Sequence, residues 1–217
     1  MDGEQVTTQM ELKLQLDLLR HGETTLSHTL RGSTDDDLTV LGWQQMRQSI
    51  QILDQSSTVL SALQSDWDMI FTSPLKRCRL FSELISEQFN IPLIVDQQLQ
   101  EMHFGDWEAQ STQTIYENEP ELLANFWQQP TKFTPPHAES LHIFHARIQD
   151  ALHNIQQHML QAHAEKALIV THAGVIKLLK CIALQQPLDD ILKMSAELGQ
   201  LNRFVLNRET MHLQWLE

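Results

Sequence analysis

Residues 12–19 read Leu-Lys-Leu-Gln-Leu-Asp-Leu-Leu, alternating apolar and polar before turning continuously apolar, the pattern of a strand entering a buried sheet. Thr39 stands as an N-cap ahead of Leu41, Trp43, Met46, Ile50 and Leu53, whose three- and four-residue spacing predicts one face of a helix. Met69-Ile70-Phe71-Thr72 predicts a short buried strand stopped by Ser73-Pro74, and Leu75, Cys78, Phe81, Ile85 and Phe89 predict an amphipathic helix after it. Ile91 to Val95 reads as another strand. From Ile115 to Pro136 the periodicity breaks around Pro120, Pro130, Pro135 and Pro136, so an excursion or lid over about residues 106–138 is expected in place of regular core. Leu141, Phe144, Ile148, Leu152, Ile155 and Met159 trace one long helical stripe. Ala167 to Val170 predicts a fully buried strand, followed by a helix from about Gly174 to Ala183. Leu201–Leu206 and Met211–Leu216 offer two closing strands around Asn207-Arg208-Glu209. Strands alternating with helices imply an α/β three-layer sandwich, with a mostly parallel central sheet flanked by helices on both faces.

The chain has 217 residues, which suits one domain over 1–217 with a short polar tail at 1–11. With 15 Lys and Arg against 28 Asp and Glu, the formal net charge is −13. A general nucleic-acid binder needs clustered basic groups to neutralise phosphates, so that class is excluded. No apolar run approaches the roughly 18 to 20 residues that span a bilayer, and the polar start lacks the marks of a signal peptide. Cys78 and Cys181 sit inside apolar helical patterns as free thiols would, consistent with a cytoplasmic setting.

In sheets of this kind the ligand site lies at the carboxyl ends of the strands. Three strand ends carry the chemistry here: Leu19-Arg20-His21-Gly22-Glu23-Thr24, then Thr72-Ser73-Pro74-Leu75-Lys76-Arg77, then Thr171-His172-Ala173-Gly174. Two histidines and two arginines at one mouth suit a phosphoryl group. An imidazole attacks phosphorus in line, while guanidiniums bind the equatorial oxygens and spread their charge. Gly22 is expected to let the backbone approach the anion closely.

These residues carry a resemblance. The segment Leu19 to Thr24 resembles the signature of the histidine phosphatase superfamily, which contains the cofactor-dependent phosphoglycerate mutases and many small-molecule phosphatases. Gly32 to Gly42 resembles its substrate loop, Ser73 to Cys78 its second-arginine motif and Leu99 to Glu108 its acidic segment. Glu139-Ser140-Leu141 with Arg147 resembles the opening of its late helix, and Val170 to Ile176 its second-histidine motif. The resemblance implies a phosphoglycerate mutase-like fold and named roles. His21 is the nucleophile that becomes a phosphohistidine; Arg20, Arg77 and His172 bind the transferred phosphoryl oxygens. Glu101 is the acid that protonates the leaving alkoxide and then assists water. Arg31, Gly32, Ser27 and Ala173 fall where the family touches its substrate; Ser27 replaces a common Asn, and Ala173 a common Gly. No cofactor or metal is implied. The partner is a small-molecule phosphomonoester, with neither nucleic acid nor membrane, and a homodimer is possible. Because His21 attacks as the neutral imidazole, its other ring nitrogen is expected to donate to a backbone carbonyl.

Other signals read more plainly. His142 and His145 are three apart, but the five-residue spacing of His153, His158 and His163 scatters those around a helix and no carboxylate or cysteine completes a set, so solvated or partly buried positions suit them better than a metal set. Trp43 reads as packing, whereas Trp107 and Trp127 are candidates for stacking on a base, and Met102 and Phe104 for an apolar wall. Met102 follows Glu101 where mutases typically place Arg, so hydrolysis is favoured over mutase chemistry. Glu101 to Glu108 most resembles the acidic segment of alpha-ribazole phosphatases, which act in assembly of the lower cobalamin loop. The alternatives are a broad-specificity or sugar-phosphate phosphatase, or a mutase, of the same superfamily, and, in another class, a non-catalytic sensor of phosphorylated ligands.

Overall fold

A computed structural model describes residues 13–50 and 66–216. Leu53 of the first expected helix and the expected amino-terminal tail lie outside the described residues. Six strands form one sheet: β1 (Lys13–Arg20), β2 (Met69–Thr72), β3 (Leu93–Val95), β4 (Lys166–Thr171), β5 (Leu201–Asn207) and β6 (Leu213–Leu216), in spatial order β3-β2-β4-β1-β5-β6. Strands β1 to β4 are mutually parallel, while β5 runs antiparallel to β1 and β6 antiparallel to β5. The sheet is therefore mostly parallel with an antiparallel edge. Arg20 pairs with Thr171 and Thr72 with Val170, so β1, β4 and β2 end at one level and release their following residues into one mouth.

Helices cover both faces, and the alternation of side chains along β4 explains why. Leu168 and Val170 join Leu19 and Ile70 in a core against helices α1 (Val40–Ser49) and α2 (Lys76–Phe89). Ala167 and Ile169 face the opposite core with Leu14, Leu16, Leu18 and Phe71. That side is closed by α3 (Thr112–Asn118), α4 (Pro120–Gln128), α5 (Leu141–Gln161) and α6 (Ala173–Ala183). Thr39 caps α1 as expected, accepting from Gly42 N–H at 3.0 Å, and Ser140 caps α5 through Ile143 N–H. The α5 stripe is buried throughout from Leu141 to Met159, with His142, His153 and His158 on its exposed side.

Within the segment expected to be irregular, residues 112–128 form two regular helices, while residues 129–138 have no helix or strand. Pro120 is the first residue of α4, where a missing N–H costs nothing, and Pro130 follows its carboxyl end, so these prolines mark helix boundaries. Ile115, Leu123 and Phe126 join the core of the sheet. Asp189 accepts from the Thr131 N–H and hydroxyl, at 3.0 and 2.7 Å, tying the end of the segment to the turn Leu188–Lys193.

Candidate active site

His21 follows β1 and hydrogen-bonds from its own N–H to Thr171 O at 3.0 Å, which joins the ends of β1 and β4. Its ring is buried at 3% exposure. Nδ1 lies 2.8 Å from Gly22 O, a partner that can only accept, so Nδ1 carries the hydrogen and the Nε2 lone pair is left free, as expected for a nucleophile. Burial, then the Arg77 and Arg20 guanidiniums, hold its pKa well below the ordinary 6.5. His172, at the N-cap of α6, stands edge-on to it with ring centroids 5.3 Å apart. Its Nδ1 accepts from Arg77 Nε–H at 3.3 Å, so Nε2 carries the hydrogen and donates to Ser73 Oγ at 2.7 Å.

Arg77 comes from the first turn of α2 and is 1% exposed. Its terminal nitrogens donate to Gly32 O at 2.9 Å, Thr34 O at 2.6 Å and Asp36 Oδ1 at 3.3 Å. A guanidinium has five N–H groups; with Nε given to His172, these contacts use four and leave one. Glu101 lies across the mouth, its Oε1 accepting from Met102 N–H at 3.0 Å and its Oε2 from Gly174 N–H at 2.9 Å. A Cβ on residue 174 would come within 2.2 Å of Glu101 Oε1, so a side chain there would push the carboxylate out of this position. Arg147 fixes the segment leading to Glu101: it donates to the Gln98, Gln100 and Glu101 carbonyls while paired with Glu139 at 2.7 Å.

A cavity of about 220 Å³ opens on this cluster. Arg20, His21, Arg31, Glu101 and Ala173 line it, together with Met102 and Phe104, the expected apolar wall. Arg77 and His172 adjoin His21 just outside the lining. Gly32 takes part through its carbonyl, which holds Arg77, and Ser27 does not reach the cavity. The exposed Ser27 accepts Thr24 N–H at 2.9 Å within a turn. A Cβ on Gly22 would meet Gly42 O at 2.1 Å, so its bareness is required for packing against α1. Trp107 is fully buried, donating to Glu119 Oε1 and packing edge-on to Phe126, and is no stacking platform. Trp127, the next residue around α4, is 54% exposed and lines the cavity.

Lys177 was not singled out from the sequence. It lies one turn beyond Ala173 and Gly174 on α6, so it shares their face and lines the cavity. Burial, then Arg20, lowers its pKa, although Glu101 opposes the shift. Its position four residues after Ala173 was the available signal. In a chain of charge −13, the mouth thus gathers Arg20, Arg31 and Lys177 around the neutral imidazole of His21, a local field that attracts an anion.

The model of the histidine phosphatase superfamily (branch 1) matches residues 16–217. The chain belongs to that superfamily. An adenosylcobalamin/alpha-ribazole phosphatase of Escherichia coli K12 is 24% identical over 208 residues, covering 94% of this chain and 95% of that protein. A Hydrogenobacter thermophilus relative named as a phosphoserine phosphatase is 28% identical over 170 residues, 77% of each chain. Among solved structures, Bacillus stearothermophilus YhfR superposes with a TM-score of 0.78 at 25% identity, over 93% of this chain and 95% of that one. The protein is therefore a phosphatase of the histidine phosphatase superfamily, with the fold its sequence implies. Among the described residues, no helix is long and apolar enough to cross a membrane.

The two buried imidazoles make the stability of this histidine phosphatase depend on pH. Unfolded, each binds a proton below the ordinary 6.5; folded, His21 and His172 both resist it. The unfolded state then holds more protons, so stability is lost as pH falls through that value, with a slope approaching about 1.4 kcal/mol per pH unit for each histidine. Urea melts between pH 7.5 and 5 are expected to show this loss, and His172→Asn to reduce the slope by about one proton. An unchanged slope in the variant would mean that His172 is protonated in the folded enzyme.

Proposed function

We propose that this phosphatase hydrolyses its substrate through a phosphohistidine on His21, and that the substrate is alpha-ribazole 5′-phosphate, handled in assembly of the lower cobalamin loop. In the first half-reaction Nε2 of His21 bonds to phosphorus, the bond from phosphorus to the ribose oxygen breaks, and Glu101 gives that oxygen its proton. In the second, water attacks the same phosphorus, Glu101 takes the water's proton, and the P–N bond breaks to return neutral His21 and inorganic phosphate. Arg20, the remaining N–H of Arg77 and the Nε2–H of His172, released from Ser73, bind the phosphoryl oxygens. Arg31 and Ala173 border the rest of the substrate. The chain acts as one domain, with residues 106–138 as a wall of the cavity.

The observation that carries the substrate reading is the apolar wall beside the reacting groups. Met102 and Phe104 extend directly from Glu101, and Trp127 presents an exposed ring at the same cavity, a surface suited to a flat, ring-bearing leaving group. The relative from Escherichia coli, matched over nearly the full length of both chains, points the same way. Lys177 favours a second reading, since among the described residues its ammonium has no hydrogen bond or ion pair and would suit a substrate with a second anionic group. Turnover on alpha-ribazole 5′-phosphate, phosphoserine, 3-phosphoglycerate, fructose 2,6-bisphosphate and p-nitrophenyl phosphate separates the two. The expected result is a kcat/KM for alpha-ribazole 5′-phosphate at least about tenfold above the others, most of it lost in Trp127→Ala, since a desolvated aromatic contact contributes on the order of 1 to 3 kcal/mol. Preference for phosphoserine or 3-phosphoglycerate would overturn the alpha-ribazole assignment in favour of the second reading.

A further inference from the structure

The turn Gly32-Ser33-Thr34 has two sides, and each is held by a charged side chain from a different part of the chain. Its carbonyl side faces α2, where Gly32 O and Thr34 O accept from the two terminal nitrogens of Arg77 at 2.9 and 2.6 Å. Its N–H side faces Glu108, just beyond the turn Gly105–Trp107. There, Gly32 N–H lies 3.0 and 3.1 Å from the two carboxylate oxygens, Ser33 N–H 3.1 Å from Oε1 and Thr34 N–H 3.1 Å from Oε2. The Thr34 hydroxyl donates to Oε2 as well, and Phe104 N–H to Oε1 at 2.9 Å. One carboxylate thus receives five donors, which only an ionised, acceptor-only group can satisfy. Burial works against that charge, but the donors, led by Phe104 N–H and the Thr34 hydroxyl, outweigh it and hold the pKa below the usual carboxylate range. Glu108 does not line the cavity.

We propose that Glu108 is a positioning residue for catalysis: by clamping the N–H side of the 32–34 turn it aims the Gly32 carbonyl and holds Thr34 in place, and through these two residues it orients the Arg77 guanidinium toward the phosphoryl group. The inference rests on the role proposed above for Arg77. The Gly32 carbonyl shares a rigid peptide plane with the Ser33 N–H, so holding that N–H aims the carbonyl directly; the Thr34 carbonyl lies in the next plane but one, and Glu108 acts on it by holding the Thr34 N–H and hydroxyl beside it. Without the clamp the turn can rotate, so the guanidinium loses its aimed anchor at Gly32 O and a firm one at Thr34 O, while Asp36 still neutralises it and the neutral His172 still accepts its Nε–H. The loss then falls on a preorganised transition-state contact and not on binding of the leaving group.

Glu108→Gln is the direct test, because the amide keeps the size but aims N–H donors at N–H donors. The enzyme is expected to lose at least about tenfold in kcat with little change in KM, and vanadate, which mimics the five-coordinate phosphoryl group, to inhibit correspondingly less well. Arg77→Ala is expected to cut kcat/KM by at least about a hundredfold with the fold intact, and a loss under fivefold would sink the role of Arg77 and the inference with it. Given that loss, the decisive measurement is the double variant. If Glu108 acts through Arg77, adding Glu108→Gln to Arg77→Ala costs almost nothing more, whereas multiplied losses overturn the inference and leave the role of Arg77 standing. Thr34→Val, which removes only the hydroxyl donor, repeats the cycle more gently should Glu108→Gln fail to fold; its smaller kcat loss must also vanish in the Arg77→Ala background.

Discussion

His21→Ala is expected to reduce phosphate release by at least about 10⁴-fold with every substrate, because the group that forms the intermediate is gone. The surrounding geometry favours this imidazole over its neighbour. His21 has its Nδ1 hydrogen committed to Gly22 O and lines the cavity, whereas His172 has Nδ1 occupied by Arg77 and Nε2 by Ser73. Rapid quenching of the wild-type enzyme should trap a phosphoenzyme stable in base and labile in acid, since protonating the nitrogen of a P–N bond makes the imidazole a good leaving group. The same quench on His21→Ala should trap none. A base-stable phosphoenzyme persisting in the variant would transfer the nucleophile to His172.

Glu101→Gln is expected to be selective in its damage. The poorer the leaving group, the more a lost proton donor matters: the alkoxide of a ribose 5′-phosphate needs protonation, while p-nitrophenolate departs largely unaided. Glutamine keeps the size, and its oxygen can still accept one of the N–H groups from Met102 and Gly174, so the substitution removes chiefly the transferable proton. Measured by single-turnover quenching, phosphorylation by alpha-ribazole 5′-phosphate or another alkyl phosphate should slow by at least about a hundredfold, and by p-nitrophenyl phosphate by less than about tenfold. Single turnover isolates this step from hydrolysis of the phosphoenzyme, which all substrates share. Equal losses would assign Glu101 to positioning alone. Glu23 is poorly suited to replace it, because its carboxylate is held by the Thr39 hydroxyl at 2.8 Å and does not line the cavity.

The contrast between Trp107 and Trp127 shows where reading along the chain reaches its end. Both are aromatic residues beside the same proline-broken segment, and composition treats them alike. Trp107 is directed into the core by a tight turn and by Glu119, while Trp127 follows the buried Phe126 by about 100° around α4 and emerges at the cavity rim. Once α4 is known to be a helix with Leu123 and Phe126 inward, the exposure of Trp127 follows, but the prolines disguised the helix. Lys177 was more accessible to sequence reasoning, because its four-residue spacing from Ala173 holds wherever α6 is a helix.

What the sequence determined by itself is what short-range physics decides. The period of apolar residues specified β1, α2, α5, β4 and α6; Thr39 marked the start of α1; and the continuously apolar run Ala167–Val170 required a strand covered on both faces. The parallel order implied by those elements was enough to bring Arg20, His21 and His172 to one sheet edge. Tertiary structure alone decided how each charged group is satisfied. Glu108 meets the 32–34 turn across 74 to 76 residues, Arg77 meets Gly32 and Thr34 across 45 and 43, and Ser27 turns back on Thr24 instead of facing the cavity. No periodicity encodes such pairings, because a buried charge takes whichever donors or acceptors the packing of distant elements brings within about 3 Å, and that choice exists only once the sheet and its helices have closed around it.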